Sequence, residues 1–242
     1  MIQRVLLDSF LFFDIETAGL YPTLQQARES DPHLAELWVK RCKWLHKQIE
    51  PGESTDPSDL WLTRSSLHPE FGRVVCVSFG VLTQEGTERI TSFYGEDEKD
   101  ILEKSNKVLA NSRSKGFKIA GQNIKNFDVP YLGKRMLINK IVPDSIIQTW
   151  NKKPWETSFI DLAEIFAFGA WGQTFSSLDL ISHVLGVPTS KDNMDGSQVH
   201  ENYWENKSFD SIKNYCEQDV VLQLIVSWVF LHNCFLSGYI QL

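Results

Sequence analysis

The first strong pattern along this chain is an apolar run from Phe10 to Phe13, which predicts a buried strand extending to Glu16. Asp14 and Glu16 interrupt the apolar pattern two positions apart. Because residues i and i+2 of a strand point to the same face, we expect the two carboxylates to project side by side. Taken alone, the pair is equally compatible with two surface acids at a solvated strand end.

A polar, helix-rich stretch follows this strand over residues 22–66. Asp31-Pro32 has the form of an N-cap followed by proline at the first helical position, and it predicts the start of a helix. Asp56-Pro57 predicts the start of a second helix in the same way. Because so short a stretch with one apolar stripe buries little by itself, we interpret residues 22–66 as a helical insertion and not as a separate domain.

The remaining pattern alternates between strand and helix periods. We predict strands at residues 74–82, 88–94, 117–121 and 158–162, helices at 97–112, 127–139, 176–185 and 210–236, and a loop at 190–197. This order is typical of an α/β fold with a mixed sheet. We therefore expect a single domain over residues 1–242 that contains the helical insertion.

Composition and charge narrow the class of protein. With 42% apolar residues among 242, the chain can bury a substantial core. Its net charge of −7 argues against coating long duplex DNA, yet leaves room for a groove that holds a nucleic-acid end. Scattered cysteines and the lack of a signal-peptide pattern predict a cytoplasmic protein. The uncharged segment 220–236 is short for a membrane span and contains polar residues, so we expect a buried helix and no membrane partner.

Two further acids stand where a metal site would need them. Asp128 follows a predicted strand and loop at the start of a helix, where an aspartate can also act only as a cap. Asp219 lies four residues after Tyr215, so the two share one face of an apolar helix. A buried aspartate is costly unless it is paired or binds a cation, although a hydrogen bond from tyrosine would also satisfy it. Asp161, near another strand end, has the pattern of a structural cap or loop anchor.

Four carboxylates that converge from three elements could bind two hard divalent cations, Mg²⁺ or Mn²⁺. The four are Asp14, Glu16, Asp128 and Asp219. Two such ions about 4 Å apart clamp the attacking and leaving oxygens when a phosphodiester is hydrolysed. Tyr215 could orient the attacking water by a hydrogen bond, since a phenol with a pKa near 10 is a poor base at neutral pH.

Three motifs in the same order carry a resemblance to a known family. They are Phe13-Asp14-Ile15-Glu16-Thr17, Asn123-x3-Phe127-Asp128 and Tyr215-x3-Asp219. They resemble the three exonuclease motifs of the DEDD superfamily of 3′–5′ exonucleases in its tyrosine variant. Residues 67–72 and 195–199 are similar to the predicted exonucleases related to the proofreading domain of family-B DNA polymerases. Asn214 stands where the histidine variant has its histidine.

The resemblance implies a ribonuclease-H-like fold with a mixed five-stranded sheet flanked by helices. It implies that the acids matching Asp14, Glu16 and Asp219 hold the first metal ion. The acid matching Asp14 would bridge to a second ion near Asp128, and Tyr215 would position the water. The residues implied to contact the terminal nucleotides are Thr17, Leu20, Asn123 and Phe127.

The expected function is metal-dependent 3′–5′ exonuclease activity on single-stranded ends, with DNA favoured over RNA and nucleoside 5′-monophosphates as products. The enzyme would act alone or in trans with a polymerase or repair partner. Lys125, Lys134 and Arg135, with Arg73 and Lys191, could together form an electropositive rim, although for any single one of them a solvated surface residue is the favoured interpretation. A 3′–5′ exoribonuclease and a non-catalytic nucleic-acid-binding module of the same fold are the alternatives.

Overall fold

A computed structural model describes residues 7–46, 49, 52–83, 85–153, 156–170, 176–188 and 194–236, with side chains to residue 231. Its described strands form one mixed five-stranded sheet in the order β3-β2-β1-β4-β5. The strands are β1 (Phe10–Gly19), β2 (Gly72–Leu82), β3 (Glu88–Tyr94), β4 (Lys118–Gly121) and β5 (Ile160–Asp161). β2 is antiparallel to β1 and β3, whereas β4 runs parallel to β1 and β5. The predicted mixed sheet is confirmed.

Nine helices are described around and beside the sheet. They are α1 (Leu24–Ser30), α2 (Pro32–Leu45), α3 (Pro57–Arg64), α4 (Glu98–Ser114), α5 (Asp128–Ile138), α6 (Leu162–Ala167), α7 (Leu178–Val184), α8 (Val199–Trp204) and α9 (Phe209–Leu236). Short 3-10 turns precede β2 and α8. Within the described part of the chain, none of the helices combines the length and apolar character that a membrane span requires.

β1 is the middle strand, and both of its faces are covered. Leu11, Phe13 and Ile15 enter the main core with α4 and α5, where the Phe13 ring stacks at 5.8 Å on Phe79. Phe12 faces the other way and packs with Val220 of α9. A strand buried on both faces reads as a continuous apolar run, which explains the sequence before Asp14. The acids at positions 14 and 16 point to the same face of the strand as Phe12 and therefore lie on the α9 side.

The helical insertion buries more than its single apolar stripe predicts. Asp31 and Asp56 do cap α2 and α3, accepting hydrogen bonds from Leu34 N at 3.0 Å and Ser58 N at 2.7 Å. The three insertion helices then form a separate apolar cluster around Trp38 and Trp61, whose rings meet edge to face at 5.4 Å. The Trp38 ring also lies 5.1 Å from Phe71, just before β2, so the insertion is attached to the sheet through this aromatic contact.

Two segments differ from the predicted elements. The strand predicted at residues 158–162 is only two residues long, because Asp161 ends it by capping α6. The loop predicted at 190–197 lies partly outside the described residues, and its last part, with residues 198–204, forms a 3-10 turn and α8. His200 of α8 accepts a hydrogen bond from Gly19 N at 3.0 Å, and its other ring nitrogen lies 2.9 Å from Pro22 O. α8 therefore holds the turn between β1 and the insertion.

Arg135 lies in the interior and not on an electropositive rim as predicted. Its guanidinium donates two hydrogen bonds to Glu98, at 2.8 and 2.6 Å, and a third to Pro69 O at 2.8 Å. Glu98 also accepts a bond from Val74 N at 2.8 Å. A buried charge requires such complete pairing, so Arg135 connects α5 to α4 and to the start of β2.

Candidate active site

β1 presents Asp14 and Glu16 on the face covered by α9. Asp14 is half-buried, and Glu16 is 8% exposed. The register between β1 and β2 shifts directly after Glu16, which is the signature of a β-bulge. Bulges beside functional sites redirect side chains, and this one lies between the two acids and the last three residues of β1. One ligand atom each of Asp14, Glu16 and Cys216 lies within 4.8 Å of the others, which is close enough to share a cation.

α9 supplies the opposite wall and approaches the sheet closely. Cys216 Sγ lies 3.5 Å from Asp14 Oδ2, and Gln223 Nε2 donates to Asp14 Oδ1 at 3.3 Å. The approach depends on Gly80 of β2, where a Cβ atom would stand 2.4 Å from Val220 Cγ1. The helix therefore lies directly on β1 and β2, and it holds Asp219, which is 8% exposed, in the same region.

Asp128 reaches the site from the edge of β1. β4 pairs with β1 only at residues 10–12, so among the described strands none lies beside the later part of β1 on that side. Asp128, the first residue of α5, accepts a hydrogen bond from Ile15 N at 3.2 Å through Oδ1. The unpaired amide at the strand edge thus holds the Asp128 carboxylate beside Ile15, the residue between Asp14 and Glu16.

The four acids influence one another electrostatically. Burial, and then the charges of Asp14, Asp219 and Asp128, hold the pKa of Glu16 well above its usual range. Burial also raises the pKa of Asp128 to about 7, with smaller contributions from Asp161 and Asp219 and opposing hydrogen bonds. Buried carboxylates that repel one another need a compensating cation or proton. Among the described residues, the ligand atoms that already lie together are those of Asp14, Glu16 and Cys216, and the two carboxylates of this group suit the hard divalent ion that the resemblance implies.

Tyr215 is 9% exposed and lies close enough to the acids to be affected by their charges. Burial raises the pKa of its phenol, and the charges of Asp219, Glu16 and Asp14 raise it further, so the hydroxyl keeps its proton. A Cβ atom at Gly196 would lie 3.9 Å from Tyr215 Oη. The segment around residues 195–199 therefore borders the site. A protonated hydroxyl beside a carboxylate cluster can donate a hydrogen bond but cannot act as a base.

The residues predicted to contact nucleotides lie in two segments, the end of β1 with the residue that follows it and the loop before α5. Thr17 is buried and donates through Oγ1 to Ser66 O at 2.9 Å, and half-buried Leu20 follows the end of β1. Asn123 has a positive φ of 54° in the loop before α5. Half-buried Phe127 lies one residue before Asp128, with its ring 5.3 Å from Tyr131.

Asp161 holds the loop before α5 by hydrogen bonds. It accepts hydrogen bonds from Asn123 N at 2.8 Å and Lys125 N at 3.1 Å, and from Ala163 N at 3.0 Å as the cap of α6. These contacts match the pattern of a loop anchor. Lys125 itself forms an ion pair with Glu164 at 2.6 Å, so its charge is already compensated.

Sequence reasoning assigned no role to Cys216 and Gln223, although both contact Asp14. The sequence did hold a signal, because Cys216, Val220 and Gln223 follow helical spacing and Gln223 is a polar residue in an apolar helix. The structure buries Gln223 fully, which is unusual for a glutamine. Burial, followed by the neighbouring Cys76, raises the pKa of the Cys216 thiol. The protonated thiol is a donor to Asp14 and leaves the carboxylates as the ligands suited to a hard cation.

Without divalent cations, the protein should be less stable at about pH 8 than at about pH 5. The pKa of Asp128 is about 7 in the folded chain and 3.8 in its ordinary state. Between these values the unfolded chain has released the proton and the folded chain has not, so stability falls as pH rises, by on the order of 2 kcal/mol. Thermal unfolding in EDTA measures the effect.

The matched control for this pH dependence is Asp128→Asn, which keeps an acceptor for Ile15 N but cannot ionise. It should reduce the pH dependence without abolishing it, because the raised pKa values of Glu16 and Asp161 act in the same direction. The opposite contribution of His200, whose pKa burial lowers, is common to both proteins and cancels in their difference. Mg²⁺ or Mn²⁺ should raise the melting temperature most at high pH. An equal pH dependence in both proteins would contradict the assignment.

Comparison with known proteins gives one family match and a set of similar structures. A sequence model of predicted 3′–5′ exonucleases related to the exonuclease domain of PolB matches residues 65–242. The matched region contains Asp128, Tyr215 and Asp219, whereas Asp14, Glu16 and the insertion helices precede it. No curated protein matches the chain.

Two solved structures illustrate the similarity. The family B DNA polymerase from the hyperthermophilic archaeon Pyrobaculum calidifontis aligns with a TM-score of 0.50 and 18% identity, over 93% of this chain and 24% of the polymerase. E. coli exonuclease I in complex with a dT13 oligonucleotide aligns with a TM-score of 0.47 and 13% identity, over 95% of this chain and 42% of that protein. This chain thus spans a minor part of both. With the family match over most of its length, the chain belongs to the predicted 3′–5′ exonucleases related to the exonuclease domain of PolB.

Proposed function

We propose that this protein is a metal-dependent exonuclease that removes nucleotides from the 3′ end of single-stranded DNA and releases nucleoside 5′-monophosphates. The observation that carries the proposal is the meeting of β1, α5 and α9, where the charges of Asp14, Asp128 and Asp219 all raise the pKa of buried Glu16. DNA is favoured over RNA because the family is related to the exonuclease domain of a DNA polymerase.

The cofactors we propose are two divalent cations, Mg²⁺ or Mn²⁺. Asp14, Glu16 and Asp219 would hold the first ion, and Asp14 with Asp128 would hold the second. When bound, such ions supply positive charge to the attacking and leaving oxygens of the phosphodiester. The residues fit this role because they are carboxylates whose mutual repulsion is relieved by a cation.

The remaining site residues would position the water and the strand. Tyr215 keeps its proton and donates a hydrogen bond that orients the attacking water, while the adjacent Asp219 accepts one. Phe127 offers a ring on which any base can stack, which favours activity with little sequence preference. Thr17, Leu20 and Asn123 would line the pocket of the 3′-terminal nucleotides on either side of this ring.

We further propose that residues 1–242 act as one exonuclease domain that includes the insertion. The family match from residue 65 supplies two of the four acids, and β1 supplies the other two, so neither part holds a complete site. The protein would work in the cytoplasm, alone or in trans with a polymerase or repair partner.

The test uses 5′-labelled single strands of DNA and RNA incubated with Mg²⁺ or Mn²⁺ and resolved over time. The expected result is stepwise shortening of DNA from the 3′ end, abolished by EDTA, with slower shortening of RNA. Faster shortening of RNA would instead identify an exoribonuclease. Binding of both polymers without shortening in either metal would identify a non-catalytic binding module and overturn the proposal.

A further inference from the structure

An open groove lies between the insertion and the loop that leads to Asp128. Its volume is about 810 Å³, near the upper end of the usual range for ligand sites, which is about 300–1,000 Å³. One wall is the exposed side of α2, the other is the first half of α5, and residues 67–71 form the floor. Phe127 lines the groove and is the residue next to Asp128, so the groove opens beside the candidate active site.

The groove is positively charged in an acidic protein. Lys40 and Arg41 from α2 and Lys134 from α5 line it, and within the described chain Glu70 is the one acid that does so. Lys134 and Glu70 form an exposed ion pair at 3.2 Å, which leaves the charges of α2 in excess. Burial, and then the charge of Arg41, lower the pKa of His68 on the floor, so this ring stays neutral. The chain as a whole carries −7, so this positive patch departs from the average surface.

The groove also carries exposed aromatic surface. Trp44 is 49% exposed near the end of α2, in contrast to Trp38 and Trp61, which are fully buried in the insertion core. Arg41 Cζ lies 4.5 Å above the Trp44 ring, which holds the guanidinium in the groove. Phe127 stands on the opposite wall. Cations interleaved with stacking rings are the combination that tracks single-stranded nucleic acid with little sequence preference.

We infer that this groove holds the single strand immediately upstream of the 3′-terminal nucleotides, with Lys40 and Arg41 on phosphates and Trp44 stacked on a base. The inference rests on the proposed function and extends it to the insertion, because α2 precedes the family match that begins at residue 65. The insertion would therefore supply the part of the substrate site that sets affinity for longer strands.

Strand binding without hydrolysis gives the decisive readout. Fluorescence anisotropy in EDTA measures the affinity for oligo(dT) of about 16 nucleotides, a length within the range of single-strand binding sites. The variant Arg41→Ala/Trp44→Ala should raise Kd about 10–100-fold. Lys43→Ala is the matched control, because Lys43 is an exposed cation on the same helix that does not line the groove. It should bind as the wild type does.

The salt dependence gives a second, independent readout. Two lost phosphate contacts should lower the slope of log K against log salt by about 1.4 in Lys40→Ala/Arg41→Ala. Lys40 is exposed and Arg41 is half-buried, and because alanine is the strongest helix former α2 should be preserved, which thermal unfolding checks. Should the double variants fail to fold, Arg41→Glu alone tests the same slope. Equal affinity and equal salt slope in wild type and groove variants would overturn the inference.

Failure of this inference is distinguishable from failure of the proposed function. Groove variants that bind normally while the wild type shortens DNA would overturn the groove alone. The opposite result is that the wild type shortens no strand in Mg²⁺ or Mn²⁺ but binds single strands more tightly than the groove variants do. That result would overturn the exonuclease proposal and support the groove. In an active enzyme, the loss of kcat/KM in Arg41→Ala/Trp44→Ala should be greater for the long strand than for a trinucleotide.

Discussion

Asp219→Ala should lower the rate of 3′-end shortening by at least about 10²–10³-fold, the scale on which removal of one preorganised electrostatic group acts. Asp219 is buried on α9, beside Glu16 and Tyr215, and it contributes to the raised pKa of both. Its removal takes away a carboxylate of the proposed first cation site. Initial rates on a 5′-labelled single strand, measured in saturating Mn²⁺, give the effect.

Two controls separate loss of chemistry from loss of fold. Asp179→Ala removes an exposed acid in the first turn of α7 and should leave the rate unchanged. Because Asp219 repels Glu16, its removal should leave the metal-free melting temperature equal or higher, whereas Mn²⁺ should stabilise the variant less than the wild type. A rate within a few-fold of the wild type would contradict the proposed role of Asp219.

Tyr215→Phe should lower kcat by about 10²-fold while leaving Mn²⁺ binding nearly intact. The phenyl ring keeps the packing of a side chain that is 9% exposed, so the substitution removes only the hydroxyl. If that hydroxyl orients water and holds no cation, the rate falls and metal affinity does not. Single-turnover rates, together with a Mn²⁺ titration of the thermal shift, measure the two quantities separately.

The matched control is Tyr94→Phe, the same substitution at an exposed strand residue whose hydroxyl donates to Asp210 at 3.0 Å. It should change neither the rate nor the metal affinity. If Tyr215→Phe lowers Mn²⁺ affinity in parallel with the rate, then Tyr215 supports the geometry of the acids and does not position the water.

Local signals in the sequence were sufficient for much of the fold. The Asp-Pro pairs at residues 31 and 56 predicted both helix starts, because a cap and a proline act within one turn. The apolar run before Asp14 predicted the middle strand, whose burial on both faces removes the usual alternation. The ends of α4, α5 and α9 fall within two residues of their predicted positions.

These local signals could not predict contacts between residues that are far apart in the sequence. Asp128 binds the amide of Ile15 across 113 positions, and that bond exists because β4 is too short to occupy the edge of β1. Arg135 has the pattern of a surface cation, and only the packing of α5 against α4 places it against Glu98 in the interior. Lone charges are ambiguous in sequence, because burial is decided by the partner element.

The packing of the helical insertion likewise could not be predicted from local sequence signals. Its helix starts were predictable, but the edge-to-face packing of Trp38 on Trp61, and the groove that α2 forms with α5, depend on contacts between separate segments. The three motifs predicted a shared site because their family resemblance supplied the spatial relation that spacing alone could not. Which residues hold metal and substrate stays a prediction until the variants are measured.

The most direct measurement of the central proposal is the order in which mononucleotides leave a single strand with different 3′- and 5′-terminal bases. Wild-type protein in Mn²⁺ is sampled during the first turnovers, and the products are identified by mass spectrometry. We predict that the first product is the 5′-monophosphate of the 3′-terminal nucleotide, and that EDTA prevents its formation. Release from the 5′ end, internal cleavage, nucleoside 3′-monophosphates, or no product in either Mg²⁺ or Mn²⁺ would contradict the proposal.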